Sequence, residues 1–298
     1  MISEYTNFNY KNGRRYHASP QGEEYWLPND EKQNETLDIF FYTHHAFRLS
    51  LEGKLYLAPI QNNVQTVLDV GTGTGIWAID FADEHPSARV IGTDISPIQP
   101  TWVPPNLEFQ IDDCCQEWTF KEKFDCVHCR AMIGSIPDWN ALTKQAFKAL
   151  KPGGHIEFHE RLMHFASDDD TVKESSSMKA WGDFWEQTGT RSKRAFTIVE
   201  DGTLETSMMA AGFADIEEHD FKMPVGPWPM DLRLKEIGSY ILAALDNDLE
   251  GFVLRPAIEL LGWSEEEALL FVARLRTEMR SGKPHAYILH KVVGRKPN

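Results

Sequence analysis

A chain of 298 residues, 42% hydrophobic and 25% charged, has the length for one large domain or two small ones around a sizeable core. Its formal net charge of −15 works against a phosphate-tracking surface, which needs a lysine and arginine excess, so nucleic acid is not an expected partner. No apolar run approaches the roughly 18 residues of a membrane span, and Met1-Ile2-Ser3-Glu4-Tyr5 lacks the layout of a signal peptide. A reducing, cytoplasmic setting is expected, with a nuclear one left open and no membrane partner.

Residues 1–27 are aromatic and polar without a period. Pro28-Asn29-Asp30-Glu31 has the form of a helix start, and Leu37, Phe40, Phe41, His44, Phe47 and Leu51 follow at helical spacing up to Gly53. From there strand and helix alternate. Short apolar strands are expected at 67–70, 89–93, 107–111, 124–129 and 155–160, with helices at 76–84 and 139–150, the second closed by Lys151-Pro152-Gly153-Gly154. Such an alternation implies a parallel sheet covered on both faces. Helical patterns then occupy 171–187 and 203–211, a strand pattern 215–221, helices 232–245 and 264–280, and a last strand 286–293. The 264–280 helix opens with a capping box from Ser264 to Glu267.

The densest signal is Val67-Leu68-Asp69-Val70-Gly71-Thr72-Gly73-Thr74-Gly75. A strand ending in such a turn brings bare backbone N–H groups and a helix N-terminus to one point, where nucleotide-type cofactors bind. A dinucleotide fingerprint needs its third glycine one position later, and that position is Ile76. Asp94, followed by Ile95, closes the next strand, where a carboxylate can accept both hydroxyls of a ribose. A capping role before Ser96-Pro97 is the alternative. Asp112-Asp113-Cys114 closes the third strand, where a carboxylate can accept from an adenine amine and the next backbone N–H can meet a ring nitrogen. Of the four cysteines, Cys126 and Cys129 have a metal-like spacing. They lie in a strand, however, where an odd interval sends them to opposite faces, so buried thiols and no metal are expected.

Gly-x-Gly-x-Gly with the upstream Asp69 resembles the first motif of the class I S-adenosylmethionine (SAM) methyltransferases. Phe124-Asp125-Cys126-Val127 resembles the fourth, which brings Arg130 and Ala131 beside the sulfonium, and Leu150-Lys151-Pro152-Gly153-Gly154 resembles the turn before strand five. The family pattern favours Asp113 with Cys114 as the adenine pair, Asp112 staying open. Tyr25-Trp26-Leu27-Pro28, His44-His45, residues 53–60, Gly71-Thr72-Gly73-Thr74-Gly75-Ile76-Trp77, Asp169-Asp170, Gly226-Pro227-Trp228-Pro229 and Gly294-Arg295-Lys296-Pro297 look like the LaeA-like branch of fungal methyltransferases. The resemblance implies a Rossmann-like α/β fold with a seven-stranded, mostly parallel sheet whose last strand is antiparallel. It implies SAM as cofactor, with S-adenosylhomocysteine as product, and a small-molecule acceptor from secondary metabolism. The branch also holds a nuclear regulator, so a SAM-binding protein acting through a protein partner is the second reading. A methyltransferase-fold enzyme catalysing a rearrangement or cyclisation is the third. The expected organisation is a helical lid segment at 1–60 and a methyltransferase domain at 61–298. Within it, 61–165 is the SAM-binding half, and 166–202 and 223–285 are helical cap insertions.

Methyl transfer from a sulfonium asks the protein to align the acceptor, exclude water and, for an oxygen acceptor, remove a proton. Histidine suits that last task. His159, at the carboxyl end of the fifth strand, is the first candidate base, and His44 on the lid helix the second. His159 stands where the family pattern leads one to expect glutamine; Glu160 faces the other way by strand parity and reads as structural. Trp181, Phe184, Trp185, Trp228 and Trp263 lie where a cap would cover the site, with ordinary core packing as the other reading. Asp168-Asp169-Asp170 reads as an acid cluster at a helix N-terminus rather than a metal site.

Overall fold

The computed structural model describes residues 8–11, 13–17, 28, 30, 43–61 and 63–293. Tyr25, Trp26, Leu27, Asn29, Glu31, Leu37, Phe40, Phe41 and the terminal 294–297 motif therefore lie outside the described residues. Strands Phe8–Lys11 (β1) and Arg14–His17 (β2) pair as an antiparallel hairpin that the aperiodic N-terminal sequence did not announce. Its anchor is Arg14, whose guanidinium bonds Asp30 at 2.6 Å and the buried Asp248 at 2.9 and 2.7 Å. A helical segment at 43–50 (α1) follows.

Next come Thr66–Val70 (β3), Ile76–Glu84 (α2), Arg89–Asp94 (β4), Leu107–Ile111 (β5), Phe124–Arg130 (β6), Trp139–Ala149 (α3) and Leu150–Arg161 (β7). Ser177–Ser192 (α4), Thr203–Ala211 (α5), Glu218–Pro224 (β8), Leu232–Asn247 (α6), Leu249–Arg255 (α7), Glu265–Arg280 (α8) and Tyr287–Val293 (β9) complete the order. The large sheet runs β5-β4-β3-β6-β7-β9-β8. Its first five strands are mutually parallel, and β9 is antiparallel to both neighbours. This is the expected class I architecture, and α6, α7 and α8 stand between the paired strands β8 and β9.

Strand parity builds two cores. Val67, Val90 and Cys126 pack with Leu55, Trp77 and Phe81 on the α2 face. Leu68, Val70, Ile91, Val127, Ile156 and Phe158 pack on the opposite face with residues of α3 to α5 and α8. Burying each such aliphatic or aromatic side chain contributes about 1.5–3 kcal/mol.

Several elements differ from the sequence expectation; strand β7, for one, begins at Leu150 and takes in the expected turn at 151–154. Helix α4 begins at Ser177, not near 171, because the Ser176 hydroxyl accepts the Lys179 N–H and caps it there. Strand β8 runs to Pro224, three residues beyond the expected end. Helix α7 was not foreseen; it continues into a π-turn at Pro256–Leu260, where proline lacks the N–H for a regular turn. Among the described residues, no helix is long and apolar enough to cross a membrane.

Candidate functional site

The carboxyl edge of β3, β4, β5 and β6 gathers the predicted cofactor residues. Gly71, Gly73 and Gly75 all take positive φ (66°, 59° and 85°), a region that alanine enters only at a cost. Added Cβ atoms show three different surroundings. At Gly71 one would meet Met132 Sδ at 2.2 Å, and at Gly75 the Phe109 ring at 2.2 Å, whereas at Gly73 nothing lies within 4 Å. The flanking glycines are thus packed against protein, while the middle one borders open space.

Two carboxylates hold the loop from behind. Asp69, inside the strand, accepts the Thr72 hydroxyl at 2.5 Å on one oxygen and the His128 Nδ1–H at 2.7 Å on the other. Burial raises its pKa to about 6, against the hydrogen bond from Thr72. Asp94 accepts the Gly73 N–H at 2.8 Å and the Ser96 N–H at 2.9 Å, so the expected ribose acid is tied to the middle of the glycine loop. Burial raises it too to about 6, against the N–H groups of Ser96 and Gly73. Its capping contact to Ser96 is present, as the alternative reading of Asp94 expects. Ile95 follows in the same turn, and Gln99 Nε2 donates to the Gly73 carbonyl at 2.6 Å.

At the end of β5 the Asp112 N–H donates to the Asp94 carbonyl at 3.0 Å, which sets the next turn beside Asp94. Asp113 accepts the Cys115 N–H at 2.9 Å on its carboxylate, and Cys114 follows with its carbonyl taken by Trp118 Nε1 at 2.9 Å. Asp112 is half-buried, its pKa raised by that burial.

At the end of β6, Arg130 donates from Nη1 to His44 Nδ1 at 2.9 Å, and its guanidinium lies over the Phe47 ring at 5.3 Å. Ala131 takes φ 57° and donates its N–H to the His159 carbonyl at 3.0 Å. Burial lowers Arg130 to about 10, against the fields of Asp69 and Asp80, so it stays cationic at neutral pH.

The structure does not leave either candidate base open at the edge. His159 is 2% exposed, and its Nε2 is bonded to the Glu157 carboxylate on the same strand face. Burial opposes charge on Glu157, but His159 and the N–H groups of Leu57 and Ala58 hold its pKa below the ordinary value. His159 thus sits in a closed unit that fastens the 57–58 backbone to the sheet. His44 is equally occupied. Burial lowers it to about 4, against the hydrogen bond to Asp80, so it is neutral. Its Nδ1 accepts from Arg130, which leaves Nε2–H to donate to Asp80 at 3.0 Å. Arg48 donates to the same Asp80 oxygen at 2.9 Å, latching α1 onto α2.

Sequence reasoning missed Asp80 and Glu157. Glu157 lies two residues before His159, so strand parity placed both on one face. Asp80 meets its partners only across the fold, and nothing local marks it. Glu160, read as structural, is fully buried and accepts the Met132 N–H at 2.7 Å and the Ile133 N–H at 3.1 Å.

The expected aromatic cap closes on itself. Trp181, Phe184 and Trp185 are buried, with ring centroids 5.0–5.4 Å apart for the pairs made by Trp185, and Phe184 lies 5.5 Å from Trp263. Trp228 stacks on His285 at 4.8 Å. These rings are packing between helices and loops, the second of the two readings. The acid cluster is also corrected. With α4 starting at Ser177, Asp168 pairs with Lys222 of β8 at 2.8 Å and Asp169 accepts from Ser167 and Thr171 at 2.7 Å, so these side chains rather than a helix dipole hold them.

A family model described as "Methyltransferase domain" matches residues 42–218. The chain is 38% identical over its whole length to the methyltransferase pytC of Aspergillus terreus, covering 90% of that protein. It is 35% identical over 98% of its length to the secondary metabolism regulator LAE1 of Cochliobolus heterostrophus, covering 96% of it. Among solved structures, phosphoethanolamine N-methyltransferase 2 of Haemonchus contortus, in complex with S-adenosyl-L-methionine, matches with a TM-score of 0.53 at 21% identity over 90% of this chain. The chain spans 59% of that protein's length, and the likeness concerns the fold.

Proposed function

The chain belongs to the methyltransferase-domain family and is a SAM-dependent methyltransferase of the LaeA-like kind; on that premise we propose that it methylates a small secondary metabolite at an acidic oxygen, a phenol or a carboxylic acid. The observation that carries the reading is the Gly73–Asp94 contact, which sets the open middle of the glycine loop against the ribose acid. The residues fit the cofactor. The loop N–H groups of Thr72, Gly73 and Gly75 are spent on the Thr93 carbonyl, Asp94 and the Thr72 carbonyl, so the loop would meet the methionine end through its open backbone at Gly73. Asp94 would offer its remaining lone pairs to two ribose hydroxyls, and Asp113 with the Cys114 N–H would read the adenine. Arg130 gives His44 one of its five N–H donors, and the others would serve the methionine carboxylate. SAM supplies a methyl group already activated on its sulfonium.

The acceptor class follows from the two histidines. His44 and His159 both spend ring nitrogens on protein partners. An oxygen that ionises readily suits a site whose histidines hold the lid and the sheet edge in place. We assign His44 and His159 as positioning residues on that ground. Incubation with methyl-labelled SAM and a panel of phenols, carboxylic acids and aliphatic alcohols tests this. Label in the phenols or acids is expected; label confined to aliphatic alcohols, or no transfer at all, would overturn it. The likeness to a secondary metabolism regulator favours a second reading, SAM-dependent action through a protein partner. Label recovered on a co-purifying protein instead of a metabolite would select it.

A further inference from the structure

The third strand of the sheet ends in an adjacent pair of thiols that the proposed reaction does not use. Asp113, Cys114 and Cys115 are all partly buried, and a carboxylate oxygen and the two sulfurs lie within 4.8 Å of one another. The turn that carries them is held at several points. Gln116 N–H donates to the Asp113 carbonyl at 2.9 Å, Cys115 N–H to its carboxylate at 2.9 Å, and Trp118 Nε1 and Gln145 Nε2 to the Cys114 carbonyl at 2.9 and 3.4 Å. The three ligand atoms are therefore displayed close together on a turn fixed by hydrogen bonds. The other two cysteines, Cys126 and Cys129, are buried and belong to opposite faces of β6.

We propose that Asp113, Cys114 and Cys115 form a site for a thiophilic divalent cation of the zinc and cadmium kind, occupied in competition with the adenine end of the cofactor. Two sulfurs and one carboxylate make a soft donor set that selects such ions over magnesium or calcium. Zinc takes thiolates at about 2.3 Å and carboxylates at about 2.0 Å in a tetrahedron, so three protein ligands leave one position for water. Both thiols enter as thiolates. One ion therefore displaces two protons to solvent, and the dication with two thiolates and one carboxylate leaves a site of net charge −1. The competition rests on the adenine reading, since Asp113 would serve both ligands and Cys114 would offer its N–H to one and its sulfur to the other. Metal occupancy thereby makes cofactor binding sensitive to free thiophilic metal.

Cadmium titration of the full-length reduced protein tests the site, read by the ultraviolet thiolate-to-cadmium charge-transfer band and by calorimetry in buffers of different ionisation enthalpy. One ion per chain, about two protons released, and a band largely lost in Cys115→Ser are expected. Asp113→Asn should weaken cadmium by roughly tenfold or more while keeping the band, and a thermal melt of each variant verifies folding. No band in the wild type, or a band unchanged in a folded Cys115→Ser variant, overturns the site. Saturating S-adenosylhomocysteine should weaken cadmium by roughly tenfold or more. A Cys115-dependent band indifferent to the nucleoside supports the metal site and overturns the adenine role of Asp113 instead.

Discussion

Two alanine substitutions in one loop should have opposite consequences. Gly73 and Gly75 both take positive φ, so alanine at either costs about 1–2 kcal/mol of backbone strain. At Gly73 the cost ends there, because a Cβ meets nothing within 4 Å. At Gly75 the Cβ would sit 2.2 Å from Phe109 Cζ and 2.8 Å from Cε1. That ring packs against the α2-face core, so overpacking adds about 1–3 kcal/mol. Gly75→Ala should therefore lose about 2–5 kcal/mol in total. At about 2–4 °C per kcal/mol for a chain of this size, its melting temperature falls well below that of Gly73→Ala. Cofactor affinity should run the other way. Bare backbone at 73 lets the ligand approach closely, and a methyl group there should weaken S-adenosylhomocysteine by roughly 10- to 100-fold; Gly75→Ala, measured below its melting point, should bind nearly as well as wild type. Differential scanning fluorimetry and titration calorimetry on the same preparations read both quantities. Wild-type affinity in Gly73→Ala, or equal melting temperatures for the two variants, would refute the division of the loop into a packed and an open part.

Asp94 should give cofactor binding a pH dependence. If binding needs its carboxylate, with burial raising the pKa to about 6, affinity for S-adenosylhomocysteine should be flat above pH 7 and fall about tenfold by pH 5; Asp94→Asn should remove the step and most of the affinity. The fold itself responds with the opposite sign. Burial raises Asp69 and Asp94 from 3.8 to about 6, so between those values the native state holds more protons than the unfolded chain. Their contribution to stability then falls as pH rises through that window. Urea midpoints of wild type and Asp94→Asn at pH 4.5 and 6.5 measure it. Glu160→Gln should turn an amide N–H toward the Met132 or Ile133 N–H, costing about 1–3 kcal/mol in urea unfolding. Because Met132 packs under Gly71, it should also weaken the cofactor; unchanged affinity would confine Glu160 to stability. Arg14→Ala should leave the Asp248 carboxylate buried without its cation, at a cost of about 3–5 kcal/mol by the same assay.

What could be read in advance divides by the range of the interactions concerned. The strands at 67–70 and 107–111 and the helices at 76–84 and 203–211 were legible because apolar periodicity, glycine punctuation and caps lie within a few residues of the element they define. The glycine loop and Asp94 were legible for the same reason: each sits at the end of a strand whose boundary the chain marks locally. The start of α4 was lost to a competing local signal, since Asp168, Asp169 and Asp170 look like first-turn acids until Ser176 is seen to be the cap. The roles of the histidines depend on partners that no local pattern reveals. Asp80 reaches His44 across 36 residues, and Glu157 is fixed by the N–H groups of Leu57 and Ala58 a hundred residues earlier in the chain. A histidine at a sheet edge is a base or a fastener according to what meets its two nitrogens, and only the folded chain supplies that. Here both nitrogens of His44 are spent joining α1 to β6 and α2, and it is on that ground that we place the burden of reactivity on the acceptor.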